Sequence, residues 1–202
     1  MPQTTFYFDL GSPFAYLAAE RIGEVLPGPV AWQPVSLGAL FKLNGRSSWA
    51  LGDADRRQAG MAEVERRAER YGLPPLRWPD PWPSNYLFAM RVATYAFKAE
   101  RGREFTMQAF RAAFQGGRDL AVQEHVLAAA QEAGLDPRAA QDATGDPEIK
   151  LALRAATDAA HARGVFGVPT IAVADGPGAA NGADELFWGE DRLPDAAALA
   201  AG

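Results

Sequence analysis

The chain has 202 residues, of which 48% are apolar and 22% charged, which suits one domain or one domain with a sizeable insertion. Twenty basic against 25 acidic residues leave a net charge of −5, and neither half is strongly basic, which argues against a nucleic-acid surface. Cysteine is absent and only two histidines occur, so disulfides, cysteine nucleophiles, thiolate metal sites and dithiol redox chemistry are excluded, and a histidine-rich metal site is not expected.

The chain opens Met-Pro-Gln-Thr-Thr and enters a strand pattern at once. No basic, apolar, small-residue leader precedes it, and a cytoplasmic protein is expected. Thr5 to Leu10 is rich in β-branched and aromatic residues and reads as a strand. After Gly11-Ser12-Pro13, apolar residues at helical spacing predict a helix to about Leu26, with Ser12 as its cap and Pro13 in its first position. Pro27-Gly28-Pro29 stops that helix, and Val30 to Val35 is the second strand, giving a βαβ unit with a right-handed crossover. The uncharged stretch from Val25 to Phe41 is broken by Pro27, Pro29 and Pro34, so it is no membrane span.

Gly38 to Gly52 is less regular. Asp55 to Tyr71 is a charged helix ended by Gly72. Leu73 to Ser84 carries five prolines with Trp78 and Trp82 between them and reads as an ordered loop. Helical patterns resume at Asn85–Arg101, Glu104–Phe114, Val122–Ala133, Pro137–Asp142 and Pro147–Arg163. Thr170 to Val173 and Asp184 to Trp188 are short strands joined by a Gly/Ala/Asp-rich connection, Ala174 to Ala183, and an alanine-rich helix follows Arg192. His125 and His161 fall in helical patterns and read as surface or packing residues.

Three junctions can carry chemistry. At Gly11-Ser12-Pro13-Phe14 a helix N-terminus offers unpaired N–H groups that favour an anion. Without a base, the Ser12 hydroxyl is a poor nucleophile, but it can hydrogen-bond a thiolate brought by a ligand. The same residues also make an ordinary serine cap. At Val168-Pro169 a proline directly precedes a strand, as in a loop, an edge-strand start or a cis turn. In the cis form the Val168 backbone can pair with a peptide-like ligand. At Trp188-Gly189-Glu190-Asp191-Arg192 a strand meets a helix, where N–H groups can hold a carboxylate and Asp191 an ammonium. A capped helix with solvated charges reads the same way.

The order β-α-β … β-β-α around a helical block is an α/β, thioredoxin-like fold with a large all-helical insertion, and it brings these junctions to one end of the sheet. The expected division is 1–37 for the first half of the thioredoxin-like domain, 38–163 for the insertion and 164–202 for the second half.

FDLGSPFAYLA resembles the N-terminal signature of the 2-hydroxychromene-2-carboxylate isomerases, relatives of the kappa-class glutathione transferases and, more distantly, of DsbA. VFGVPTIAV, ELFWGEDRL, PVSLGALFKLNG and WPSNYLFAMR resemble further segments of that family in the same order, so the similarity spans nearly the whole chain. The resemblance implies glutathione as cofactor, with Ser12 as the catalytic serine on its sulfur and Phe14 beside it. It implies Val168 and a cis Pro169 against the cysteinyl backbone, Gly189, Glu190 and Asp191 around the γ-glutamyl end, and Lys42 near the ligand. Asn44 is the candidate for the family's loop asparagine. Asn85 and Arg91, with Trp82 as an aromatic wall, stand for the second-substrate pocket. Trp49, Trp78, Tyr86 and Phe88 are further aromatic candidates for a wall or for the core.

The implied activity is isomerisation of an unsaturated aromatic carboxylate, as in naphthalene-type catabolism, by reversible thiolate addition. Lys42, Arg46, Arg56 and Arg91 are candidates for the substrate carboxylate. The alternatives are a kappa-like glutathione transferase and a non-catalytic glutathione-binding thioredoxin-fold protein. A homodimer is expected, with no nucleic-acid or membrane partner. The chain departs from the resemblance at Asp53 to Gly60, where Arg56 or Arg57 is the nearest cation to a family lysine, and in the long GPGAANGA connection.

Overall fold

The computed structural model describes residues 3–174 and 183–202. The predicted connection Ala174 to Ala183 therefore lies mostly outside the described residues. Four strands form one sheet: β1 (Thr4–Phe8), β2 (Val30–Pro34), β3 (Thr170–Val173) and β4 (Glu185–Trp188), in the order β2-β1-β3-β4. β1 and β2 are parallel and linked by α1 (Pro13–Val25); β3 runs antiparallel to both β1 and β4. This is the thioredoxin-like arrangement expected from the element order.

Alternation along the strands divides the core between two faces. Phe6, Phe8, Trp32, Ile171, Val173 and Phe187 share one face, packed with α1, with α9 (Leu193–Ala201) and with the helical block. Each fully buried aromatic or aliphatic side chain there contributes about 1.5–3 kcal/mol. Tyr7 and Ala172 point the other way, toward Val35, Leu40 and Ala160.

Between the two halves of the sheet run α2 (Leu37–Leu43), α3 (Ala54–Arg70), α4 (Leu87–Lys98), α5 (Gly102–Phe114), α6 (Gln123–Glu132), α7 (Pro137–Ala143) and α8 (Pro147–Ala162). α2 occupies the start of the stretch expected to be less regular. Its signal is short: Ser36 caps it by accepting from the Ala39 N–H, and Leu37, Leu40 and Phe41 share the helical spacing. A single 3-10 turn, Trp49–Leu51, follows. The helix read to Arg101 ends earlier because Glu100 adopts a left-handed φ of 56°, and α5 starts immediately after, with Gly102 against the Phe97 ring. The proline-rich stretch 73–84 is ordered loop, tied to α5 by Arg77 N–H donating to the Phe114 carbonyl at 2.8 Å and to α3 by Trp78 Nε1 donating to Glu65 at 2.6 Å. No helix among the described residues is long and apolar enough to cross a membrane.

Candidate active site

β1 ends at Phe8, and the chain turns through Asp9, Leu10 and Gly11 into α1. Ser12 caps this 13-residue helix: its Oγ accepts from the Ala15 N–H at 3.2 Å, and Pro13 takes the first helical position. The Ser12 hydroxyl is 3.5 Å from the Val168 carbonyl, its one other partner among the described residues. Val168-Pro169 is a cis peptide, as the resemblance implies. The Pro169 carbonyl accepts from Gly189 N–H at 3.0 Å, anchoring the turn after β4. The first and third junctions thus both reach the proline turn, though 156 positions separate Ser12 from Val168.

Ser12 and Val168 line a cleft of about 740 Å³. Its walls are aromatic. Phe14 meets Trp49 (centroids 6.2 Å apart), and Trp49 meets Trp82 at 5.4 Å. Tyr86 closes another side, its ring so near Gly11 that a Cβ there would collide with it. Burial pushes the Tyr86 phenol up to about 12, so it is neutral at ordinary pH. At the rim, Phe166 and Trp188 pack 4.9 Å apart, and Trp188 is 49% exposed.

Arg46 is the one cationic residue in the wall among the described residues, with its guanidinium 5.1 Å from the Phe166 ring and 5.8 Å from that of Trp188. It has no carboxylate partner among the described residues. The arrangement offers a hydroxyl at a helix N-terminus, a backbone edge, flat apolar walls and one positive charge at the mouth. An elongated anion with a ring system fits such a cleft.

Of the residues singled out from the sequence, Ser12, Phe14, Trp82, Asn85 and Val168 meet in the wall, as do Trp49 and Tyr86. Arg46, one of the four candidate cations, joins them, and the residues that follow lie elsewhere. Lys42 is exposed on α2, and Asn44 caps that helix, its Nδ2 donating to the Leu40 carbonyl at 2.8 Å. Arg91 reaches the Thr144 carbonyl at 3.4 Å, and Arg56 is exposed on α3. Gly189, Glu190 and Asp191 are not in the wall. Glu190 is 1% exposed and its carboxylate is taken by Arg67 at 2.6 Å and the Tyr71 hydroxyl at 3.2 Å. Asp191 remains half-exposed, 3.6 Å from Arg67. Trp78 packs behind Trp82 at 4.7 Å.

Two wall residues were undervalued in the sequence. Arg46 stood among four candidate cations with nothing to single it out. Asp9 has a visible signal, a lone carboxylate between Phe8 and Leu10 in the otherwise uncharged run TFYFDL. It is 6% exposed, and its two oxygens accept from Gly11 N–H at 2.8 Å and Leu37 N–H at 2.7 Å. Burial pushes its pKa from 3.8 up to about 6, against the lowering effect of the two N–H groups. His125 points Nδ1 at the Asp119 carbonyl at 2.8 Å, and no cluster of metal-ligating side chains occurs among the described residues.

Comparison with known proteins agrees with this architecture. The DsbA-like thioredoxin domain family matches residues 3–199. A protein of Sphingobium xenophagum named 2-hydroxychromene-2-carboxylate isomerase is 28% identical over 197 residues, covering 93% of this chain and 92% of that one. Among solved structures, a 2-hydroxychromene-2-carboxylate isomerase superposes with a TM-score of 0.77 at 24% identity, covering 94% of this chain and 90% of the other. The cytosolic disulfide reductase DsbM of Pseudomonas aeruginosa, solved with GSH, superposes with a TM-score of 0.63 at 16% identity over 98% and 96% of the two chains. A family match over almost the full length, on a sheet of matching topology, leads to one conclusion: the chain belongs to the DsbA-like thioredoxin domain family.

Proposed function

We propose that this protein is a glutathione-dependent isomerase of the 2-hydroxychromene-2-carboxylate type, acting on an unsaturated aromatic carboxylate. The observation that carries this reading is the Ser12 hydroxyl. It sits at the N-terminus of α1, and its proton is engaged only by a long 3.5 Å contact to the Val168 carbonyl. Hydroxyl hydrogen bonds of full strength are about 2.7–2.8 Å. A proton held so loosely can turn toward a sulfur anion, and the helix N-terminus favours that charge. The name of the Sphingobium relative supports the reaction class, and the reductase structure with GSH supports the ligand.

The donor set suits glutathione. The chain has no thiol of its own. Val168 lines the cleft beside Ser12, and its N–H makes no backbone hydrogen bond among the described residues, so its backbone is able to pair with an extended peptide. Asp191 is the carboxylate for an ammonium end. When bound, glutathione supplies a sulfur nucleophile able to add reversibly to a conjugated carbon and to leave unchanged. Ser12 holds the charge on that sulfur. Phe14, Trp49 and Trp82 receive a flat ring and keep water from it. Arg46 pairs with the substrate carboxylate.

The test is turnover of a chromene carboxylate by the full chain, with and without glutathione. Interconversion that requires glutathione but does not consume it supports the reading. An accumulating glutathione conjugate makes the protein a transferase instead. Calorimetric glutathione binding with no turnover makes it a binding protein.

A further inference from the structure

The Gly11–Ser12 turn carries the hydroxyl on which the proposed chemistry depends, and one side chain sets how that turn meets the rest of the site. The Asp9 carbonyl accepts from the Ser12 N–H at 3.0 Å. Its carboxylate accepts from Gly11 N–H with one oxygen and from Leu37 N–H with the other. Gly11 directly precedes Ser12. Leu37 is the first residue of α2 and also lines the cleft. A single buried carboxylate therefore ties together two loops from different parts of the wall.

We propose that Asp9 is the positioning residue of the site: by clamping the Gly11–Ser12 turn to the start of α2, its carboxylate sets the orientation of the Ser12 hydroxyl. This rests on the role given to Ser12 above. Asp9 makes no hydrogen bond to Ser12 Oγ, so it acts through the backbone.

Two considerations favour a functional over a merely structural role. First, burial disfavours the ionised form, yet both N–H donors require an acceptor that only the carboxylate provides twice. Second, protonation turns one of the two oxygens into a hydroxyl, a weaker acceptor than a carboxylate oxygen, which loosens one half of the clamp. Few groups compete with Asp9 for this titration. From α2 it meets a backbone N–H. From the stretch entering α4 it faces the Tyr86 phenol, which stays neutral over the range. α8 reaches the residue before Leu37 through the uncharged Thr157 hydroxyl, which accepts from Ser36 N–H at 3.0 Å.

The experiment is a pH titration of the backbone amide resonances of the full chain, wild type and Asp9→Asn. In the wild type the amides of Gly11, Ser12 and Leu37 move together with one midpoint; in Asp9→Asn they are flat and Ser12 is displaced. Asparagine matches the shape but offers N–H₂ to one of the two donors. Turnover is the second readout. Asp9→Asn lowers kcat by about tenfold or more, leaves the KM for glutathione within about twofold, and has no further effect in a Ser12→Ala background. Equal losses in both backgrounds overturn the proposal, as does an unchanged Ser12 amide in Asp9→Asn. If Asp9→Asn does not fold, the wild-type titration decides: three amides with no shared midpoint overturn it. Absence of any turnover in the wild type overturns the isomerase reading and leaves the amide titration to decide the role of Asp9.

Discussion

Arg67 on α3 donates to the buried carboxylate of Glu190, 123 positions further along the chain, at 2.6 Å. The same guanidinium pairs with Glu63 at 2.7 Å and lies 5.5 Å from the centre of the Phe14 ring, two residues after Ser12. The hydroxyl of Tyr71, whose ring is covered by Arg21 at 3.6 Å, also donates to Glu190. One ion-pair cluster thus joins α3 to the turn after β4 and backs one wall of the cleft. Arg67→Met leaves Glu190 buried with the Tyr71 hydroxyl but without its cationic partner, and the expected loss of stability is about 3 kcal/mol. Urea unfolding measures it. The double variant Arg67→Met/Glu190→Gln recovers most of the loss, because no uncompensated charge remains.

Ser12→Ala removes both a helix cap and the hydroxyl at the proposed sulfur position. The cap is worth about 1 kcal/mol, so the fold survives. Turnover of a chromene carboxylate is expected to fall by about 100-fold, the scale of losing one preorganised donor to a developing charge. Steady-state kinetics at saturating glutathione checks this, and activity near wild type removes Ser12 from the mechanism.

Arg46 brings the one positive charge to the cleft wall. Arg46→Met keeps an apolar stem against Phe166 and Trp188 but removes the charge. The expected result is a rise of about tenfold in KM for the aromatic carboxylate, with kcat changed less. A neutral ester of the same substrate separates the causes, since its KM should not respond to the substitution.

Gly11→Ala drives a methyl group into the Tyr86 ring. Over-packing of this kind costs about 1–3 kcal/mol. Tyr86 must swing away, and it lines the cleft, so thermal unfolding and KM for the aromatic substrate change together. Gly11→Ala combined with Tyr86→Ala relieves the clash and regains stability relative to Gly11→Ala alone.

Asp9 gives stability a pH dependence with a definite sign. Its pKa is raised from 3.8 to about 6 by burial, so between these values the folded chain holds a proton that the unfolded chain has lost. The contribution of Asp9 to stability is full below 3.8, falls as pH rises through this window and is level above about 6. The drop is about 3 kcal/mol, since each tenfold change in proton affinity is worth about 1.4 kcal/mol. Urea unfolding of wild type and Asp9→Asn between about pH 4 and 7 isolates it, because the difference between the two curves carries the Asp9 slope.

Elements and their order were legible in the sequence because local rules act on neighbours. Ser12-Pro13 marks a helix start wherever it lies, and Pro27-Gly28-Pro29 ends one. α2 is not legible in the sequence because a seven-residue helix carries too few turns for its spacing to stand out. Lys42 and Asn44 were chosen from the right segment, yet Arg46 is the residue that reaches the cleft, since each step along that tight helix end redirects the side chain. Asn85 precedes α4 and Arg91 lies within it, and of the two Asn85 lines the cleft.

By itself the sequence determined the strand and helix order, the absence of any thiol, and the serine at the first helix N-terminus, all of which follow from residue type and spacing along the chain. Only the tertiary structure decided that Ser12 meets Val168, that Arg46 and not Lys42 brings charge to the wall, that Glu190 is sealed by Arg67, and that Asp9 clamps two loops. Those outcomes depend on distances between residues far apart in the chain, which sheet order and helix packing set and local pattern does not record.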